Sequence, residues 1–162
     1  MEKFRKIILI PMDALVKNQP KPDKYGFCSA NDFKNAKPRK FVKSILPLLS
    51  ACRNQGYKIV LTTYIPDKSI EYKIIMAKIR WITKTKIPYS ELIISSDSTP
   101  VTSIAKAYGA CEKILISSDI NELEEWKDGP AIFAEDDVYA QLMDKIDFEP
   151  FQLNYITTQD SL

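Results

Sequence analysis

The chain contains no histidine, and only three cysteines, Cys28, Cys52 and Cys111. Without an imidazole, neither a Ser-His-Asp nor a Cys-His relay can be assembled within it. The cysteines are odd in number, widely spaced and free of any Cys-x-x-Cys pair. That argues against a disulfide framework and against a Cys/His zinc site, and it predicts reduced thiols in a cytoplasmic protein. Chemistry, if there is any, falls to carboxylates, hydroxyls, lysines or a metal ion. Charge of one sign is also scarce. Lys and Arg number 23 against 21 Asp and Glu, a formal +2, too little to point to nucleic acid or a membrane surface. No apolar run approaches the roughly 20 residues of a membrane helix. The opening MEKFRKIILIPMDALV has basic residues and then apolar ones. Its apolar run is short, carries Asp13 and lacks a following small-residue cleavage site, so it reads as a buried first strand and not as a signal peptide.

What is present is an alternation. With 162 residues, 45% of them hydrophobic, the chain is long enough for one domain with one sizeable core, residues 1–162. Short β-branched runs occur at RKIILI, YKIVLTT, ELIISS, EKILISS and PAIFAE, each suited to a strand buried on both faces. Helical patterns separate them. PRKFVKSILPLLSACRNQG places Phe41, Ile45, Leu48, Leu49 and Cys52 on one stripe and predicts a stop at Gly56 and a kink or split at Pro47. KSIEYKIIMAKIRWITKTK, VTSIAKAYGA, INELEEWKDG and VYAQLMDKI continue the series, with Asp119 as an N-cap and Gly129 as a stop. This order predicts a parallel sheet of about five strands with helices on both faces, a three-layer α/β/α Rossmann-like fold.

In such sheets ligands bind beyond the carboxyl ends of the strands. The residues to watch are therefore Pro11 to Asp13, Thr62 and Thr63, Ser95 to Asp97, Ser117 to Asp119, and Glu135 to Asp137. Residues 17–40, rich in Lys, Asn and Pro, follow the first strand directly and are placed to form a loop or minimal cap over those ends. Trp81 and Trp126 have apolar neighbours at helical spacing and read as core. The basic stretch KPRKFVK is balanced by acids elsewhere, and no aromatic interleaving marks a single-strand channel. The tail FEPFQLNYITTQDSL is partly apolar, suited to an edge strand or to docking on a partner.

The strand ends carry a resemblance. ILIPMDALV, IVLTTYIP, KIRWITKTKIP and ILISSDINELEEWKDGPAIF follow one another in the order and layout of motifs of the haloacid dehalogenase (HAD) superfamily. The chain resembles most closely its 5'-nucleotidase and deoxyribonucleotidase branch, from Lys6 to Phe133. The resemblance implies an HAD-like α/β/α domain without a large cap, carrying a squiggle or flap after the first strand. It also implies a nucleophilic aspartate where Pro11 stands, a general acid/base at Asp13, phosphate contacts from Thr62, Thr63 and Lys106, and a magnesium-binding aspartate pair where Ser117 and Ser118 stand.

The departures fall on the chemistry. Proline offers neither nucleophile nor carboxylate, and serine hydroxyls are poor ligands for a hard dication. Two readings follow. In the first, the protein is a catalytically inactive pseudophosphatase, a binding, regulatory or structural module needing no cofactor. Its partner is a small phosphorylated ligand, held by backbone N–H groups at helix starts, or another protein, and neither nucleic acid nor membrane. In the second, it is an active Mg²⁺-dependent phosphohydrolase on nucleoside monophosphates or other small phosphate esters. That enzyme would use a rearranged metal site drawn from Asp119, Asp136 and Asp137 with Asp13. The competing roles are structural: Asp119 as a helix cap, Glu135 to Asp137 as dipole-favoured acids at the start of the last helix.

Overall fold

The computed structural model describes residues 6–17, 35–64, 71–95 and 101–147. The interior of the 17–40 loop with Cys28, the polar loop from Ser96 to Thr99 and the tail FEPFQLNYITTQDSL lie outside the described residues. The elements run β1 (Ile7–Pro11), a 3-10 turn (Met12–Ala14), β2 (Val16–Lys17), β3 (Lys37–Pro38), α1 (Lys40–Asn54), β4 (Lys58–Tyr64), α2 (Glu71–Thr85), β5 (Glu91–Ser95), α3 (Val101–Lys106), β6 (Lys113–Ser117), α4 (Ile120–Glu125), β7 (Ala131–Phe133) and α5 (Val138–Lys145).

All five expected strands form, and they lie parallel in the order β5-β4-β1-β6-β7. β1 and β6 are buried along their whole length, which is what central parallel strands require. Side chains alternate between two covered faces. On one, Ile8, Ile10, Ile59, Leu61, Ile114 and Ile116 pack against α1, α2 and α5. On the other, Ile7, Leu9, Val60 and Leu115 pack against α3 and Trp126. The architecture is thus the three-layer α/β/α arrangement. β1 is central, and the chain leaves it first toward β4 and β5 and later crosses to β6 and β7. The switch point of the topology lies between β1 and β6.

After β1 the chain makes the 3-10 turn, and β2 pairs antiparallel with β3 through Val16↔Pro38 and Lys17↔Lys37. This pair closes the base of the loop and stands where a squiggle and flap were expected. Trp81 (3% exposed) donates its indole N–H to the Ala36 carbonyl at 3.0 Å, tying the returning chain to α2.

Two helices depart from expectation. α1 runs unsplit through Pro47, which is on the exposed side. The helix stops where expected, with Gly56 at φ 90° just past its end. α4 ends at Glu125, short of Gly129, because Trp126 turns to an extended conformation and enters the core.

Candidate functional site

The register brings together the residues that the sequence set far apart. Pro11 pairs with Thr62, and Leu9↔Leu115 on the other side of β1 leads two residues on to Ser117. By strand alternation all three side chains belong to the face covered by α3 and α4. Pro11, Thr62 and Ser117 thus make one row across the carboxyl ends of β4, β1 and β6, and all three are buried.

Proline's place in a central strand has a local reason. Ile7 donates its N–H to the Glu112 carbonyl at 3.1 Å, so the backbone groups of odd-numbered residues in β1 face β6. The missing N–H of Pro11 therefore also faces β6. The β1–β6 pairing stops at Leu9↔Leu115, while the β1–β4 pairing runs on to Pro11↔Thr62. Pro11 costs no ladder bond to β4 and ends the ladder to β6 at the switch point.

Ser117 is 1% exposed, and its hydroxyl makes two hydrogen bonds within its own turn. It accepts from the Asp119 N–H at 3.0 Å and donates to Glu122 Oε2 at 3.1 Å. Asp119 in turn accepts from the Asn121 N–H at 2.9 Å and caps α4. The serine works as a turn-forming hydroxyl, and the aspartate works as a cap.

Asp13 is exposed on the 3-10 turn. Its charge is felt at Glu122, a residue that sequence reasoning missed. The Glu122 carboxyl is pushed above the ordinary range first by burial. The Ser117 hydrogen bond acts the other way, and the like charges of Asp119, Asp13 and Glu125 raise it further. The signal that points to it is the Asp-x-x-Glu spacing of a capping box, Asp119 to Glu122.

Thr63 does not share the site face with Thr62. It alternates onto the α1–α2–α5 side, where the Lys78 ammonium donates to its hydroxyl and also to the Tyr64 carbonyl at 3.3 Å. Lys78 is 6% exposed; it too was missed, although it sits on the apolar stripe between Ile74 and Trp81. Lys106 is exposed in the last turn of α3. Two residues beyond it, Tyr108 bonds Glu91 at the start of β5, so Lys106 lies toward the amino ends of the strands and not with Thr62. Glu135 pairs with Arg39 at 3.5 Å, Asp137 caps α5 through the Ala140 N–H at 3.1 Å, and Asp136 is exposed. The Cys52 thiol is buried and pushed up to about 12 by that burial, which leaves it inert as a nucleophile.

Mg²⁺ needs several oxygen ligands with carboxylates foremost, and the residues here do not fit it. Pro11 supplies none, and Ser117 and Ser118 offer only neutral hydroxyls, the first of them hydrogen-bonded within its own turn. Among the described residues no three His, Cys, Asp or Glu side chains form a metal-holding group.

No protein-family model and no curated protein sequence matches the chain. Among the solved structures similar to it are the following two. The D,D-heptose 1,7-bisphosphate phosphatase from Burkholderia thailandensis aligns with a TM-score of 0.51 and 10% identity over 86% of this chain and 97% of that one. A target protein from Vibrio cholerae aligns with a TM-score of 0.40 and 18% identity over 59% of this chain and 73% of that one. The first likeness shows the fold: a Rossmann-like α/β/α domain of the kind on which a phosphatase is built.

Proposed function

We propose that the protein is a pseudophosphatase: an HAD-like, 5'-nucleotidase-type scaffold whose phosphoryl-transfer centre is retired and which acts as a binding, regulatory or structural module in the cytoplasm. The observation that carries this reading is the row Pro11–Thr62–Ser117. It occupies the carboxyl end of the sheet at the switch point, yet it offers no carboxylate at either motif position, and the serine is committed to its own turn. Phosphoryl transfer depends on a positioned nucleophile and on metal charge. Each lost decade of rate corresponds to about 1.4 kcal/mol of barrier, and losing both components removes many decades.

The test is phosphate release from nucleoside monophosphates and from p-nitrophenyl phosphate, with Mg²⁺ and with EDTA, comparing wild type with Asp13→Asn. The expected result is no metal-dependent release and no difference between the two proteins. Mg²⁺-dependent release that disappears in Asp13→Asn overturns the reading and establishes the phosphohydrolase alternative.

A further inference from the structure

The near-zero net charge conceals a strong segregation. Residues 35–64 and 72–90 carry 11 basic side chains and no acidic one, whereas residues 112–147 carry 11 acidic side chains and three basic ones. In the fold these stretches meet in one helical layer. α1, and α2 after its first residue Glu71, come from the basic stretches, α5 comes from the acidic one, and α1 packs against α5.

Each part of this layer has an outward feature that suits the other. Between α1 and α2 runs a groove of about 460 Å³, lined by Pro38, Val42 and Leu46 and edged by Lys37, Lys43 and Lys84. All three lysines are exposed. On α5, with Val138 and Leu142 turned into the core, Tyr139 (45% exposed) and Met143 (50% exposed) point outward one turn apart. Exposed Asp136 and Asp144 flank them. Asp144 also meets Lys145 of its own helix at 3.3 Å, and the helix start remains acidic. An apolar pair at i and i+4 with acidic flanks is the pattern that fits an apolar groove with a basic rim.

We propose that this layer is the contact face of a symmetric dimer of the chain, with α5 of each copy lying in the α1–α2 groove of the other. Groove and helix lie on either side of α1 on one face. A two-fold axis over α1 therefore engages both pairs at once and closes the assembly. Nucleic acid fits the groove less well. Among the described residues its one aromatic, Trp81, is 3% exposed and its N–H is already bonded to Ala36, so none of them offers a ring to stack a base.

Sedimentation equilibrium of the full chain at low and at high salt tests this. Wild type is expected to dimerise, more weakly as salt screens the rim charges. Lys43→Glu with Lys84→Glu, and separately Met143→Glu, are expected to weaken association by about tenfold or more while circular dichroism stays native. Asp136→Lys with Asp144→Lys should weaken it likewise, and mixing that chain with the Lys43→Glu/Lys84→Glu chain should restore a mixed dimer. A wild type that stays monomeric at every concentration overturns the proposal, even if it binds an acidic helical peptide. So does a dimer that neither charge reversal weakens, or a mixture that yields no mixed dimer.

Discussion

The two ends of the sheet treat charge in opposite ways. At the amino end, opposite charges meet. Lys58 pairs with Glu91 at 2.9 Å and lies 5.1 Å over the Tyr108 ring, and Tyr108 donates its hydroxyl to Glu91 at 2.6 Å. Lys6 pairs with Glu112 at 3.5 Å. Lys113, 2% exposed, gives its ammonium to the Gly109 and Cys111 carbonyls at 2.5 and 3.0 Å. At the carboxyl end, apart from the Arg39–Glu135 pair at 3.5 Å, like charges gather. Asp13, Asp119 and Glu125 all raise Glu122, while the central row holds proline and hydroxyls. One end is arranged to hold the fold. At the other, proline and hydroxyls form the row across the strand ends, and acids lie around it.

The largest expected effect lies at the amino end. Gly129 has φ 153°, and a Cβ added there would run into the Lys113 carbonyl. Because the obstacle is backbone of a central strand, Gly129→Ala should destabilise by about 3 kcal/mol. Urea unfolding measures this, and a loss below about 1 kcal/mol would mean that β6 yields easily there. The next effect inverts the carboxyl end. Pro11→Asp with Ser117→Asp and Ser118→Asp places carboxylates in and beside the row. Without metal the variant should melt below wild type, since the new charges crowd Asp13 and Glu122. Mg²⁺ should then recover up to about 2.7 kcal/mol at a hundredfold excess over its dissociation constant, and EDTA should reverse the recovery. If Mg²⁺ leaves the melting curve of this variant unmoved, the row is not a latent metal site.

The amino acid order made much of the fold legible. RKIILI, YKIVLTT and EKILISS are apolar enough that only doubly covered strands accommodate them, and alternation with helical stripes then implies a parallel sheet. Pro11, Thr62 and Ser117 were legible as one row because each ends such a strand. Thr63 was misjudged because strand alternation sends neighbouring side chains to opposite faces. Lys106 was misplaced because a lysine on a short helix has no partner in sequence to fix which end of the sheet it serves. Lys78 and Glu122 were missed for a different reason: their roles follow from burial of a charge, which depends on what the tertiary fold lays over it and leaves only a faint trace in spacing.

The smallest effects test the contrast most directly, because the two glutamates should respond to pH with opposite sign. Glu91 is held below its ordinary value by its hydrogen bonds to Tyr108 and Lys58. Its stabilisation is therefore present above the ordinary carboxylate value near 4.5 and is lost as pH falls through the lower folded value. Glu122 is raised, so folding is penalised as pH climbs from 4.5 through its higher folded value, and the penalty is absent in acid. Glu122→Gln keeps an oxygen for Ser117 and removes the charge. It should gain somewhat less than about 1 kcal/mol at neutral pH, allowing for solvent screening at a half-buried site, and nothing in acid. Glu91→Gln should lose about a few tenths of a kcal/mol at neutral pH, since the pair is largely solvated, and again nothing in acid. Melting temperatures of both variants from acid to neutral pH decide the matter. Divergence on either side of wild type with rising pH supports the contrast between the two ends, whereas parallel curves would mean that Glu122 escapes its neighbours and the carboxyl end is as well balanced as the amino end.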